Sequence, residues 1–315
     1  MALSGFDRAL VLALRRAPRA PFAALAAETG ADERTVRRGV ERLRADGTLL
    51  FSASVLYENA RRFLVAQVEI TCRPGTGEEV ARALAARTDT RFVAVVTGDH
   101  DVVADLTAPD TEALHAVVTG ELGALPDVLA VRTRVVMRLL FTAVDWDPEG
   151  GIGEARRRAA EDGGEPDASP LDDTDLAIAG ALREDIRAPL SRIARSLGIH
   201  ETTVQRRVQR MTSGGALQLR ADVEPAALGY RAESRFTLGV RPSDLRAVRR
   251  ALAAEPAVRA LYFVTGPATV LGYSVHPSVA GMQDLLEGPL SGLPGLLSVD
   301  LSVVLRVHKR AGVRL

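Results

Sequence analysis

The chain has 315 residues, 47% of them apolar and 25% charged, with 40 Lys+Arg against 40 Asp+Glu. That length asks for more than one domain, and that balance suits packed domains rather than disorder. The single cysteine, Cys72, excludes an internal disulfide framework or a cysteine-based zinc site, and a net charge of zero leaves any nucleic-acid binding to local patches.

The chain does not open on a basic segment followed by an apolar run, and no stretch of about 18 apolar residues occurs in it, so a soluble cytoplasmic protein is expected. Laying residue i over residue i + 168 aligns 3–147 with 171–315 without a gap, and about 45 of the 145 pairs are identical. Composition can mimic the alanine and arginine matches. It does not readily place turn-making residues at equal positions, as in Pro21/Pro189, Gly30/Gly198, Gly47/Gly215, Gly98/Gly266 and Pro126/Pro294. The chain is one unit written twice.

Within the first copy, residues 3–16 carry Phe6, Leu10 and Leu14 at helical spacing. Pro18 and Pro21 separate that helix from a short second one over 22–28, and Gly30 supplies a tight turn. Asp32 caps a third helix that runs to about residue 46, with Gly47 ending it. The chain is then extended. Residues 63–72 alternate as a strand, with Leu64, Ala66, Val68 and Ile70 on one side. A helix over 75–87 follows, then strands over 91–97 and 101–106 joined at Gly98, a helix over 109–125 and a strand over 128–139. Gly150, Gly151, Gly163 and Gly164 mark a flexible linker over 148–169, with a short helix over 154–161. The second copy repeats the order through 171–184, 190–197, 201–212, 232–240, 242–254, 258–265, 269–275, 277–290 and 296–307. Its third helix has His200 at the cap, a poorer residue there than Asp32.

The expected fold is α+β. It has two winged-type helix-turn-helix domains (1–50 and 170–218) and two ferredoxin-like βαββαβ domains (51–147 and 219–315) in tandem. Each four-stranded sheet carries its helices on one face. The bare face calls for a partner, and the other copy is the obvious one.

Two short helices joined through a glycine turn make the DNA-reading helix-turn-helix, whose second helix enters the major groove. In the third helix Val36, Val40 and Leu43 form an apolar stripe, matched by Val204, Val208 and Met211. The polar side of each helix supplies the candidate DNA-binding residues. These are Arg34, Thr35, Arg37, Arg38 and Arg42 in copy one, and Thr202, Thr203, Gln205, Arg206, Gln209 and Arg210 in copy two. Arginine forks onto guanine edges or phosphates, and glutamine pairs with adenine. Gly39 weakens the first of these helices by about 1 kcal/mol relative to alanine. Glu33, Glu41 and Asp46 make it more acidic, so an asymmetric operator is expected.

The order helix-turn-helix, linking strand, βαββαβ resembles the Lrp/AsnC (feast/famine) family of regulators. The resemblance rests on Leu3-Ser4-Gly5-Phe6-Asp7, Thr35-Val36-Arg37-Arg38, Val96-Thr97-Gly98-Asp99-His100-Asp101-Val102, Leu125-Pro126-Asp127-Val128 and Arg132-Thr133-Arg134-Val135-Val136-Met137. It implies an amino-acid or similar small effector, held near Gly98, Asp99, His100, Asp101 and Thr133. It also implies self-association, both between the repeats and between chains. Copy two reads Gly266-Pro267-Ala268-Thr269 at the matching loop, without either acid, so a structural role is expected there. Members usually carry one unit per chain, so this chain is expected to do the work of a dimer.

Two other readings stand beside the regulator. A siroheme-decarboxylase-like enzyme has a similar fold, but the His-Asn-Tyr run of those enzymes is absent. His100, His115 and His276 are scattered without a nucleophile–base pairing. An amino-acid sensor without DNA binding is the other. No catalytic residue, cofactor, metal or membrane partner is expected.

Overall fold

The computed structural model describes residues 3–55, 63–143, 146, 161, 171–310 and 312–314. The linker expected over 148–169, with its short helix, lies outside the described residues except for Glu161. In chain order the elements begin with α1 (Gly5–Arg16), α2 (Phe22–Thr29), α3 (Glu33–Ala45), β1 (Leu49–Val55), β2 (Leu64–Cys72), α4 (Gly77–Ala86), β3 (Thr90–Val96), β4 (Val102–Ala108), α5 (Thr111–His115) and β5 (Val128–Phe141). The second copy gives α6 (Asp173–Glu184), α7 (Leu190–Leu197), α8 (Glu201–Ser213), β6 (Leu217–Val223), β7 (Ala232–Val240), α9 (Leu245–Ala254), β8 (Val258–Val264), β9 (Val270–His276), α10 (Gly281–Leu285), β10 (Leu296–Arg310) and the short β11 (Val313–Arg314).

These elements gather into two compact units, and neither is one copy of the repeat. One unit is Met1–Arg62 with Glu165–Leu228, the other Phe63–Gly164 with Gly229–Leu315. Each unit therefore pairs corresponding halves of the two copies.

In the first unit the helix starts follow from their caps. Ser4, Asp32 and Asp172 each accept the backbone N–H three residues on, and Asp172 with Asp175 completes a capping box. His200 caps α8 without any side-chain bond, as its chemistry leads one to expect. Gly30 and Gly198 end α2 and α7 in the left-handed region, at φ 67° and 66°. The valine stripes of both third helices are buried. Gly39 is buried as well. A Cβ there would lie 3.0 Å from Leu10 Cδ2 and 3.1 Å from Phe6 Cε1, so its lost helix propensity accompanies a close approach of α1 to α3. The strand after each helix-turn-helix pairs with its counterpart: β1 runs antiparallel to β6 from Leu49↔Val223 to Val55↔Leu217.

In the second unit, β2 to β5 and β7 to β10 each form a ferredoxin-like sheet, and the two sheets join edge to edge. β5 pairs with β8, β10 with β3, and β10 also with β7, which closes a ring of eight strands with β11 appended. The seams are equivalent. The Thr97 N–H donates to the Val303 carbonyl and the Thr265 N–H to that of Val135, each at 2.9 Å. The threonine hydroxyls accept from Val303 N and Val135 N in return, also at 2.9 Å. Outside the ring, Val80 and Leu84 of α4 pack on Val68, Ile70 and Val102, while Val248 and Leu252 of α9 pack on Phe236, Leu238 and Val270. The bare sheet faces expected from sequence thus become the inside of a closed ring.

Two helices differ from expectation. The helix expected over 109–125 is α5 followed by a π-helical stretch, Ala116–Leu122. That expected over 277–290 starts only at Gly281 and turns π over Leu286–Leu290. In the second case Pro289 has no N–H for an α-helical bond. The Ser291 N–H reaches five residues back to the Leu286 carbonyl at 3.1 Å.

Gly272 on β9 tests the packing. A Cβ there would run into the ring of fully buried Phe236. Gly272→Ala is expected to cost about 1–3 kcal/mol, the usual range for overpacking a tight core. A urea midpoint unchanged from the parent would contradict that.

Candidate nucleic-acid interface and effector site

The polar faces of α3 and α8 hold their side chains in distinct ways. Arg34, Arg38, Thr202, Gln205, Arg206 and Gln209 are exposed. Thr35 is exposed too, but its N–H and hydroxyl bond Asp32 at 2.8 and 2.9 Å, which makes it part of the α3 cap. Thr203 is half-buried in the first turn of α8. The Arg37 guanidinium stacks over the Phe22 ring, 4.3 Å from its centroid. Arg42 is held by the mostly buried Asp7 of α1, and its counterpart Arg210 by fully buried Asp175 of α6. Arg207, where copy one has Gly39, bonds Asp172 and Asp175 at 2.7 and 2.9 Å. Arg42 and Arg210 therefore tie each third helix to its first helix, a role the sequence pattern did not reveal.

A second feature invisible in sequence is a reciprocal arginine clamp. Arg187 donates to the carbonyls of Pro18 and Ala20, both at 2.7 Å. Arg19 donates to those of Ala188, at 2.8 Å, and Ile186. The two arginines are counterparts in the repeat, and so are the carbonyls they meet. Burial lowers the pKa of both guanidinium groups. With the β1–β6 ladder, the clamp fixes how α3 and α8 are spaced within their unit. Phe22 lies against both Arg37 and Arg187 and links the clamp to α3.

At the expected effector loop, Gly98 is left-handed at φ 102° and Asp99 is exposed. Asp101 turns inward, and its Oδ2 accepts the Cys72 N–H at 2.7 Å, which is hairpin chemistry. His100 Nε2 lies 3.1 Å from Glu69 Oε2. Among the described residues, His100 Nδ1 and Thr133 Oγ1 are buried without a hydrogen-bond partner. These atoms are the part of the predicted set with unmet bonding capacity.

His100 also marks the rim of a polar layer that the sequence reading missed. Glu69 Oε1 accepts from Arg134 Nε at 2.8 Å and from Arg235 Nη2. Gln67 Oε1 accepts from Arg235 Nε and Nη2 at 2.9 and 2.8 Å. Gln67 Nε2 donates to Asp105 Oδ1 and Tyr273 Oη at 3.0 and 2.7 Å. Burial alone would push the Glu69 carboxyl up. The His100 hydrogen bond and the Arg134 and Arg235 charges outweigh it and hold the group far below the usual carboxylate range. Asp105 is raised, because burial there outweighs the Gln67 hydrogen bond and the Arg91 and Arg235 charges. The available signal was the alternation of Gln67 and Glu69 with Ala66, Val68 and Ile70, which puts both on the face awaiting a partner.

Known proteins agree with this architecture. The AsnC-type helix-turn-helix domain matches residues 3–44 and 171–212, and the Lrp/AsnC ligand binding domain matches 65–143 and 236–313. An uncharacterised HTH-type transcriptional regulator of Pyrococcus furiosus is 31% identical over 140 residues, 44% of this chain and 95% of the relative. The HTH-type transcriptional regulator LrpA of Pyrococcus horikoshii is 26% identical over 140 residues, 44% of this chain and 99% of the relative. Among solved structures, the siroheme decarboxylase NirDL superposes with a TM-score of 0.63 at 17% identity, over 98% of this chain and 93% of that one, a likeness of fold. Both family domains occur twice in the same order, so the chain belongs to the Lrp/AsnC family of transcription regulators, in a tandem, single-chain form.

Proposed function

We propose that the chain is a cytoplasmic, sequence-specific DNA-binding transcription regulator whose α3 and α8 each enter a major groove of double-stranded DNA. The observation that carries this reading is the exposure of Arg34, Arg38, Thr202, Gln205, Arg206 and Gln209 on helices whose opposite stripes are buried. The two sets differ, so the half-sites differ, and the operator is asymmetric. A gel shift with the DNA upstream of its own gene is the test. Affinity should fall with rising salt as phosphate contacts are lost, while preference over unrelated DNA persists. A purified chain that ignores duplex DNA at low ionic strength would end this reading and favour a sensor acting through other proteins.

The same proposal places a small effector, an amino acid or a related molecule, at Gly98, Asp99, His100, Asp101 and Thr133 of copy one. The unpartnered His100 Nδ1 supports it, because a buried polar atom without a partner favours a ligand that bonds it. Thr133, paired in register with Val68, lies on the α4 side of the sheet, the face opposite Glu69 and His100, and adds no support. Binding would shift the arrangement of paired modules by favouring one of two states. Titration with each proteinogenic amino acid, read by DNA affinity, tests this part separately. Copy two, with Pro267 and Ala268 at the matching positions, serves structure.

No enzymatic activity is assigned. The relatives are named transcriptional regulators, and the decarboxylase likeness is one of fold. Leu129 and Met137 are exposed at 61% and 60%, and their counterparts Leu297 and Leu305 at 69% and 61%. These apolar positions, matched between the copies, support further association between chains, read by light scattering.

A further inference from the structure

The copies have diverged most tellingly where they meet inside the strand ring. Gln67 and Arg235 occupy the same place in the repeat, and they bond each other directly. Equivalent residues that touch lie on the axis relating the copies. Around that contact, copy one contributes Glu69, Asp105 and Arg134, where copy two has Thr237, Tyr273 and Ser302. Arg235 and Glu69 are each 1% exposed and form an ion pair, and Arg134 is 7% exposed beside the same carboxylate.

We propose that this buried layer is a pairing code: it admits copy one with copy two and rejects either copy with its own kind. In the observed pairing the layer holds two acids and two arginines. A pairing of copy one with copy one would set Gln67 against Gln67 and bury four acids with two arginines. A pairing of copy two with copy two would set Arg235 against Arg235 with no acid from the equivalent positions. Unpaired like charges out of water are strongly unfavourable, whereas the mixed layer sets its arginines against an acid and is hydrogen-bonded. The tandem chain is therefore more than two identical regulators joined by a linker. Its halves are specified as unlike partners, so each molecule has a fixed polarity, with α3 always opposite α8. This inference does not depend on what the chain binds.

Two measurements test it. A protease site placed in the linker lets the full-length protein be cut after folding, then unfolded and reassembled, with the pairs weighed by native mass spectrometry. Mixed pairs should outnumber like pairs by about tenfold or more, against equal numbers in a statistical one-to-two-to-one mixture, equivalent to about 1.4 kcal/mol. In the cut Arg235→Gln protein, pairs of copy two with itself should appear. A statistical mixture from the parent, or exclusive mixed pairing in the variant, overturns the proposal. In the intact chain, Gln67→Arg sets two arginines at the axis and should raise the unfolding equilibrium constant on the order of a hundredfold. Adding Arg235→Gln to it should restore most of the loss. An unchanged urea midpoint for Gln67→Arg, or a double variant no better than the single one, counts equally against it.

Discussion

Glu69→Ala is expected to lower unfolding free energy by about 3–5 kcal/mol, among the largest single-residue losses in the chain, because it leaves Arg235 charged and uncompensated in the interior. Arg134 loses the same partner and adds to the loss. Replacing Glu69 and Arg235 together by methionine should recover the part of the loss that comes from Arg235, since a buried pair exchanged for apolar groups of similar volume is often neutral, while Arg134 stays without its partner. A single variant within about 1 kcal/mol of the parent would show the layer to be incidental. The same carboxyl sets an acid limit. Its pKa in the fold lies below its ordinary value of 4.5. The stability it supplies is complete above that value and drains away as pH falls toward the lowered one. Glu233, lowered by Arg310 and Arg259 against the effect of burial, works in the same direction. Asp105, raised by burial, works in the opposite one. Urea midpoints taken at neutral pH and at about pH 3.5 should therefore differ less for Glu69→Gln than for the parent.

For DNA, Arg38→Ala and Arg206→Ala are each expected to weaken specific binding by about 1–3 kcal/mol if the residue reads a base, with lost discrimination at one position of one half-site. If either contacts phosphate, binding weakens evenly across sequences and the salt dependence flattens instead. Arg42→Ala and Arg210→Ala should behave differently. These residues bond Asp7 and Asp175, so their loss should appear chiefly in thermal stability. Footprints of the two exposed-arginine variants should fail on opposite halves of the operator. Loss on the same half would contradict one reading helix per half-site.

Local chemistry made much of this molecule legible. Asp32 and the paired Gly30/Gly198 place α2, α3, α7 and α8 closely, because caps and left-handed turns act over a few residues. The valine stripes name the buried side of each reading helix for the same reason. The constant offset exposes the duplication. What stayed hidden depends on residues far apart in the chain. Nothing near Gln67 in sequence announces Arg235. Nothing near Arg19 announces the carbonyls of Ile186 and Ala188. The bond from Arg42 to Asp7 stayed hidden because that acid lies two helices earlier in the chain. The π-helical stretches escaped because apolar spacing there still satisfies an α-helix. At the proposed effector loop the glycine turn and the acids were visible. The inward rotation of Asp101 onto Cys72, and the burial of His100 beside Glu69, were not.

The antiparallel ladder between β1 and β6 has a consequence for gene dosage. A reader assembled from separate subunits falls apart on dilution, so its active fraction climbs steeply with expression level. Here the counterpart strands belong to one polypeptide, which holds them at high effective concentration however few molecules a cell contains. Operator occupancy at low copy number should then rise in simple proportion to the number of chains made.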